Sequence, residues 1–301
     1  MKPLSLVIIT YNRPEDALDL AGNISSLEDL HRLVEEVIIV NNRSTISYAI
    51  VEDFIAAHPD LPFRYVVAPE NLGVSRGRNY AVALSRAPIL VFLDDDALFR
   101  NADALGVIAS IFEEHPAVGI AAFKIYYLST GRLQVNAFPH KRFAERKDWP
   151  WFDTAYFSGC AHAIRRRVFD EAGYYPENFF YGMEEYDLSY RALDKGFTIR
   201  YDARVLVWHK ESPEGRLPPR EKLRGMWVNK SKVAWKYLPW PYFLTTAFLW
   251  SLEYLKKSGW HIAGFVTGWG AVLRIPGGEQ RSPVGRATRE YLLKVKARLL
   301  Y

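Results

Sequence analysis

Three consecutive aspartates, Asp94-Asp95-Asp96, end the apolar run Ile89–Leu93. Carboxylates this close repel one another, so a counter-charge has to hold them. A divalent metal would do so, because hard cations such as Mg²⁺ take oxygen ligands and share them with substrate phosphates. An exposed acidic turn is the plainer alternative. A second acidic group, Glu184-Glu185-Tyr186-Asp187, opens a helical pattern. Acids there complement the helix dipole, or one of them is a general base that takes a proton from a hydroxyl. Successive positions on a helical turn point in different directions. One acid can therefore be the base while another caps the helix or pairs with Arg191.

Two further sets of residues have chemical potential. His209 directly follows the apolar run Val205–Trp208 and is a neutral-imidazole metal ligand candidate. A lone histidine is structural unless other ligands reach it. The run Asn71-Leu72-Gly73-Val74-Ser75-Arg76-Gly77-Arg78-Asn79 combines glycines, which allow close backbone approach, with two arginines able to form paired bonds to phosphate. An ordinary loop with two solvated arginines explains it equally well. Neither GxGxxG nor GxxxxGK[ST] occurs, so hydride transfer on a dinucleotide and P-loop ATP hydrolysis both lose ground.

The elements that must position these residues follow from apolar spacing. Leu4–Ile9, Val37–Val40, Phe63–Val67 and Ile89–Leu93 are short, rich in Val, Ile and Leu, and predict buried strands. Pro14–Leu30, Ser47–His58 and Ser75–Leu84 between them have helical spacing. This alternation predicts an α/β fold, a mainly parallel sheet flanked by helices. Ligands then bind at the carboxyl ends of the strands, where the polar residues above lie. Beyond them the spacing predicts a helix over Ala102–His115, a strand over Val118–Tyr127 and an irregular, aromatic connection over residues 128–157. Helices over Arg165–Ala172 and Glu184–Lys195 and two closing strands, Phe197–Tyr201 and Val205–Trp208, complete this part. Glu211–Pro219, with three prolines and Gly215, marks a boundary.

The 301 residues are 49% apolar and 24% charged, a globular mixture that excludes a disordered or collagen-like chain. Charge is uneven. Residues 1–203 carry 21 Lys/Arg against 28 Asp/Glu, a net of −7, and residues 204–301 carry 18 against 6, a net of +12. A basic half meets something anionic or is simply a solvated face. Leu238–Leu255 is apolar, but Pro239, Pro241 and Glu253 leave only Tyr242–Leu252 uninterrupted, too short to span a bilayer. Flanking lysines and Trp240, Trp250 and Trp260 suit a helix lying in the membrane interface, or a helical pair packed on the rest of the chain. The lone cysteine, Cys160, excludes an internal disulfide framework and a cysteine-built zinc site, and it suits a reducing cytosol. No export is expected from the short apolar core of the first residues.

VIITYNRP, NLGVSRGRN, FLDDDA, FSGCAHAIRRRVFDEAGYY, FFYGMEEYDLSYRALDKGF and VLVWH occur in this order. Together they resemble the family 2 glycosyltransferases of the GT-A fold that act in bacterial cell-surface polysaccharide synthesis. The resemblance covers about residues 4–210. It implies a catalytic domain over 1–212, with a nucleotide-sugar half over about 1–100 and an acceptor half over about 101–212. A basic helical region over 213–301 would follow.

By the same resemblance Thr10, Tyr11, Asn12 and Arg13 would line the nucleotide pocket, with Asn41 at the base-recognition position. Asp94 would lie near the ribose, with Asp95 in the same site. Asp96 would hold a Mg²⁺ or Mn²⁺ ion bridging the diphosphate, with Arg78 near the diphosphate and His209 completing the metal site. Gly159 and Asp187 would belong to the acceptor side. Glu185 would be the general base, with Glu184 as the fallback. Where many members have Asp at that base position this chain has Glu, and Asn41-Asn42-Arg43-Ser44 replaces a frequent Asp-Asn-x-Ser. Ile46 likewise replaces a frequent Asp. An amide oxygen at Asn41 still accepts the N3–H of uracil or thymine, which does not separate UDP- from dTDP-sugars.

The implied activity is inverting, metal-dependent transfer of a sugar to a hydroxyl of a glycan or lipid-linked glycan. The implied location is cytoplasmic, peripheral on the inner face of the membrane. A sugar-1-phosphate nucleotidyltransferase would share the sheet and the carboxylates, but its glycine-rich, lysine-bearing N-terminal loop is missing. A sugar-nucleotide binder without turnover is a further alternative, against which the intact acidic motifs argue. A nucleic-acid module would explain the basic half but not its tryptophan-rich apolar run.

Overall fold

A computed structural model of the protein describes residues 1–214 and 217–299, so Gly215 of the expected boundary lies outside the described residues. The first half runs β1 (Leu4–Thr10), α1 (Pro14–Ser25), α2 (Leu30–Leu33), β2 (Val34–Asn41), α3 (Ala49–Ala57), β3 (Phe63–Val67), α4 (Gly73–Leu84), β4 (Ile89–Asp94) and β5 (Ala97–Phe99). Then come α5 (Ala104–Glu114), β6 (Val118–Tyr127), α6 (Phe143–Arg146), β7 (Trp151–Thr154), β8 (Ala161–Arg165), α7 (Arg166–Ala172), α8 (Glu184–Asp194) and β9 (Thr198–His209). Four helices close the chain: α9 (Pro219–Tyr237), α10 (Trp240–Ser258), α11 (Ile262–Gly278) and α12 (Arg286–Lys294).

The strands form one sheet in the order β3-β2-β1-β4-β8-β6-β9-β5, with β7 paired to β9. β1 to β4 are mutually parallel, and β8 enters antiparallel between β4 and β6. Side chains alternate across a strand, and β1 shows the result. Leu4, Leu6 and Ile8 bury against α1 and α5 on one face, while Val7 joins α4, α7 and α8 on the other. Covering both faces is what makes the strands read as nearly continuous apolar runs.

Several expectations need correction. Pro14–Leu30 is not one helix. The chain leaves α1 at Ser25, and Asp29 takes a left-handed φ of 58° before α2. Leu27 and Leu30 are both buried, so the apolar period continues through the turn that breaks the helix. The two closing strands are one, β9. Its pairing with β6 jumps from Phe123–Asp202 to Lys124–Leu206, and Ala203, Arg204 and Val205 between them form a bulge. The bulge is held by Arg204, which pairs with the buried Asp202. The connection over 128–157 contains α6 and β7. Two strands carried no signal: β5, only three residues long, and β8, whose sequence Ala161-His162-Ala163-Ile164-Arg165 is small and polar.

The C-terminal helices pack on the rest of the chain. Trp227 of α9 is fully buried and donates Nε1–H to the Ala247 carbonyl of α10 at 2.9 Å. Gly268 lets α11 close on that indole, since a Cβ there would sit 2.1 Å from its ring. Tyr291 of α12 donates to the Thr154 carbonyl (2.9 Å), and Thr288 bonds Asp194 of α8 (2.8 Å). One apolar cluster runs without a break from Leu90 and Ile164 of the sheet to Trp227, Val272 and Leu292.

Candidate active site

A cleft of about 890 Å³ opens over the carboxyl ends of β1 and β4. Thr10, Tyr11 and Arg13 line it from the end of β1, Asp94 to Asp96 from the end of β4, and His209 from the end of β9. Glu184 and Glu185 face it from the start of α8, and Gly159 and Cys160 from the segment before β8. The fold thus gathers ten of the twelve residues expected at the nucleotide, metal and base positions.

Buried charge is neutralised in two knots. In the first, Arg13 reaches Asp95 at 3.1 Å and Asp96 at 2.9 Å, and its backbone N–H donates to the Tyr48 hydroxyl at 2.9 Å. Asp95 is fully buried, and burial pushes its carboxyl up to about 7, Arg13 opposing the rise. The second knot is Arg78, only 4% exposed. One arm contacts Asp94 (3.2 Å) and the Gly159 carbonyl (2.8 Å), and the other contacts Glu184 (3.0 Å) and approaches Glu185 (3.8 Å). Arg78 therefore ties the β4 carboxylates to the α8 acids, the position expected to lie near a diphosphate being filled by protein groups.

Glu184 and Glu185 separate in role. Glu184 is almost wholly buried and committed to Arg78. The Glu185 side chain is 15% exposed. Burial and then the neighbouring Glu184 push its carboxyl up to about 8, with Arg78 acting against them. Gly159 makes room for it: a Cβ at 159 would lie 2.1 Å from Glu185 Oε1. A carboxyl with its pKa raised toward the neutral range, facing a cleft, suits proton transfer.

Asp94, Cys160 and His209 converge so that one ligand atom of each lies within 4.8 Å of the others. His209 Nδ1 meets the Gln134 amide oxygen at 2.9 Å, and Gln134 in turn donates to Glu211 at 2.9 Å, which fixes the ring. Nε2 faces an Asp96 oxygen at 3.3 Å, and no hydrogen bond satisfies it among the described residues. Against burial, Cys160 and Asp96 push the imidazole up to about 11. Cys160 is buried, and burial pushes its thiol up, which makes it a poor partner for a hard cation. Two carboxylates and an imidazole nitrogen remain, a donor set that fits Mg²⁺ or Mn²⁺.

Three expected site residues are placed elsewhere. Asn12 and Asn41 do not line the cleft. Asn12, with φ 56°, accepts from the Thr45 backbone at 2.8 Å and so ties the β1 end to the loop after β2. Asn41 accepts from the Ser44 N–H (2.8 Å) and donates to the Tyr65 hydroxyl (2.7 Å). Asp187, two residues beyond Glu185 on the helix, points into the contact between α8 and α9. There it holds Arg191 (2.7 Å), Lys236 (2.5 Å) and the Tyr237 hydroxyl (2.9 Å). Conversely, Gln134, Tyr156, Lys222, Lys230, Trp250 and Arg298 line the cleft without having been singled out for it. For Lys222 and Lys230 a signal existed, since with Met226 they recur at four-residue steps.

Residues 5–173 match the family model of glycosyl transferase family 2. An O-antigen chain rhamnosyltransferase, WbaN, of Salmonella anatum is 26% identical over 155 residues, 49% of this chain, which spans about half of that protein's length. Among solved structures, S. aureus TarS 1–349 in complex with UDP-GlcNAc superposes with a TM-score of 0.64 at 14% identity, covering 91% of this chain and 81% of that one. The mannosyltransferase PcManGT from Pyrobaculum calidifontis, in complex with GDP-Man and Mn²⁺, gives 0.63 at 19% identity, over 100% and 81%. At these identities the two structures establish the GT-A fold.

Proposed function

The chain belongs to glycosyl transferase family 2, and we propose that it transfers one sugar, with inversion, from a UDP- or dTDP-sugar to a hydroxyl of a glycan or lipid-linked glycan. The observation that carries this reading is the Glu185 carboxyl, which faces the cleft against Gly159 with its pKa raised to about 8. Glu185 takes the proton of the acceptor hydroxyl as that oxygen attacks the anomeric carbon from the face opposite the leaving nucleotide. Arg78 holds the α8 acids and Asp94 in one frame, with Glu184 as its closest acid on α8. A divalent cation on Asp94, Asp96 and His209 would supply Lewis-acid stabilisation of the departing diphosphate. Thr10, Tyr11 and Arg13 flank the nucleotide, and Asn12 and Asn41 shape the loops around it.

The same reading sets the enzyme at the cytoplasmic face of a membrane. None of the described helices is long and apolar enough to cross a bilayer. Trp240, Leu244, Phe248 and Leu252 stand exposed at four-residue steps along α10, with Trp260, Ile262 and Val266 continuing the surface into α11. Lys256, Lys257 and Arg274 accompany them, a pattern that suits an anionic interface. Flotation with anionic liposomes at low salt tests this; protein remaining in the soluble fraction overturns it.

The donor site is tested by thermal unfolding with a panel of nucleotide diphosphates, each with and without Mn²⁺ or Mg²⁺. A ligand at 100 times its dissociation constant adds about 2.7 kcal/mol to stability. A metal-dependent rise in Tm with UDP or dTDP is expected. No rise with any nucleotide overturns the donor assignment, and a rise without turnover favours a binding protein.

A further inference from the structure

Opposite the strand ends, the cleft is walled by side chains of the C-terminal region. α9 contributes Lys222, Met226 and Lys230, and Arg298 comes from the segment after α12. Lys230 is 5% exposed. Its ammonium lies 3.4 Å from the centroid of the Tyr186 ring, which stacks on Tyr156 at 4.6 Å. The Arg298 guanidinium lies 5.9 Å from the Tyr156 centroid, and Lys222 lies 5.3 Å from that of Tyr181.

No carboxylate answers these cations among the described residues. Glu253 pairs with Lys257 at 2.6 Å, Asp187 is held by Arg191 and Lys236, and Arg78 stands at Glu185. Burial and then Arg298 push the Lys230 amine down to about 7. A desolvated ammonium is costly, and a cation–π contact returns only part of that cost. The cost is met when an anion enters.

We propose that Lys230, Arg298 and Lys222 form an anion subsite on the acceptor side of the cleft, which takes the phosphate or diphosphate group of a phosphate-bearing acceptor. Lys230 and Arg298, close enough to repel, exceed what one carboxylate neutralises, whereas a diphosphate has the charge and the oxygens to meet both, and Lys222 adds positive charge along the same wall. The nucleotide's own diphosphate belongs at the strand ends with Asp94, Asp96 and His209, on the other wall. That the bound anion belongs to an acceptor rests on the glycosyltransferase reading; the anion site itself does not.

The test is calorimetric titration of inorganic diphosphate into the full chain with chelator present, using wild type, Lys230→Met and Lys230→Arg. Wild type is expected to bind. Lys230→Met should weaken binding roughly tenfold or more, the scale on which losing one buried charge partner acts, and Lys230→Arg should retain most of it. Tm of Lys230→Met should rise, because an unpaired buried cation is removed. Absent binding, binding unmoved by Lys230→Met, or lost binding with a fallen Tm each overturns the proposal.

Kinetics then identify the source of the phosphate. A prenyl-diphosphate-linked sugar in micelles and a water-soluble glycan phosphate are each compared with the phosphate-free glycoside. At least one should show a KM lower by roughly tenfold, with the difference collapsing in Lys230→Met. Equal KM values in wild type for all three overturn the acceptor role. Failure of the nucleotide titration, by contrast, defeats the enzyme reading and leaves the calorimetric result standing.

Discussion

On the wall of the cleft built from strand ends, Arg13 lies between Asp95 and Asp96, and Arg78 between Asp94 and Glu184. On the wall built from α9 and the segment after α12, Lys230 rests on the Tyr186 ring and the exposed Arg298 lies 5.9 Å from that of Tyr156, with no acid paired to either among the described residues. The first wall pairs its arginines with acids of the same wall, and those contacts hold the reacting groups in advance. The second is electrostatically unfinished, and an incoming anion finishes it. The difference separates what performs the chemistry from what selects the substrate.

The sharpest way to break this contrast is at Glu185. Glu185→Gln should lower kcat by about 10²–10⁴-fold, the contribution of a general base, while nucleotide binding measured by calorimetry persists. Weakened donor binding with turnover intact would move Glu185 out of that role. Arg78→Met attacks the pairing itself. It strands buried carboxylates and should cost about 3–5 kcal/mol in denaturant unfolding. A stability near wild type would mean that the first wall is not held by charge.

Gly159→Ala is the finer probe, since its methyl would meet Glu185 Oε1 at 2.1 Å. Displacing a reacting group by about 1 Å costs about 10²-fold, so kcat should fall to that extent with the circular dichroism spectrum unchanged. Acidity gives a graded measure. With Glu185 pushed up to about 8 from an ordinary 4.5, kcat/KM should climb toward pH 8 and then level. Stability should run the opposite way. Between those two values the folded state keeps a proton that the unfolded chain has released, so this group's contribution falls as pH rises. Glu185→Gln should remove that part of the slope. The smallest effect belongs to the outer surface. Phe248→Glu should reduce liposome flotation by an amount reflecting about 1.5–3 kcal/mol of lost apolar burial, with Tm unaltered.

The two walls also differed in legibility. Asp94 to Asp96 stand at a strand end and Glu185 at a helix start, next to clear apolar runs, and Arg78 lies in the second turn of α4 within a glycine- and arginine-bearing run, so their neighbours in sequence announce their place. Lys230 and Arg298 lie in a region whose net charge of +12 reads as an outward-facing surface. Only the fold turns Lys230 inward onto Tyr186 and sets Arg298 at the rim near Tyr156. Asp187 shows the reverse error. It sits beside Glu185 in sequence, yet two steps of a helical turn carry it to Lys236 and Tyr237. The sheet was legible where strands are apolar throughout. β8 was hidden because tight cover on both faces favours alanine at 161 and 163, both fully buried.

The unbroken apolar cluster from the sheet to α12 sets how far this molecule can be shortened. Residues 5–173 suffice to declare the family, but a fragment stopping at Ser212 would strip the outer face of α8. Asp187 would lose Lys236 and Tyr237, His140 would lose the Val295 carbonyl it meets at 3.1 Å, and Leu188 and Tyr190 would face water. Grafting this strand-end chemistry onto another acceptor-binding tail therefore means recutting an interior rather than exchanging a module.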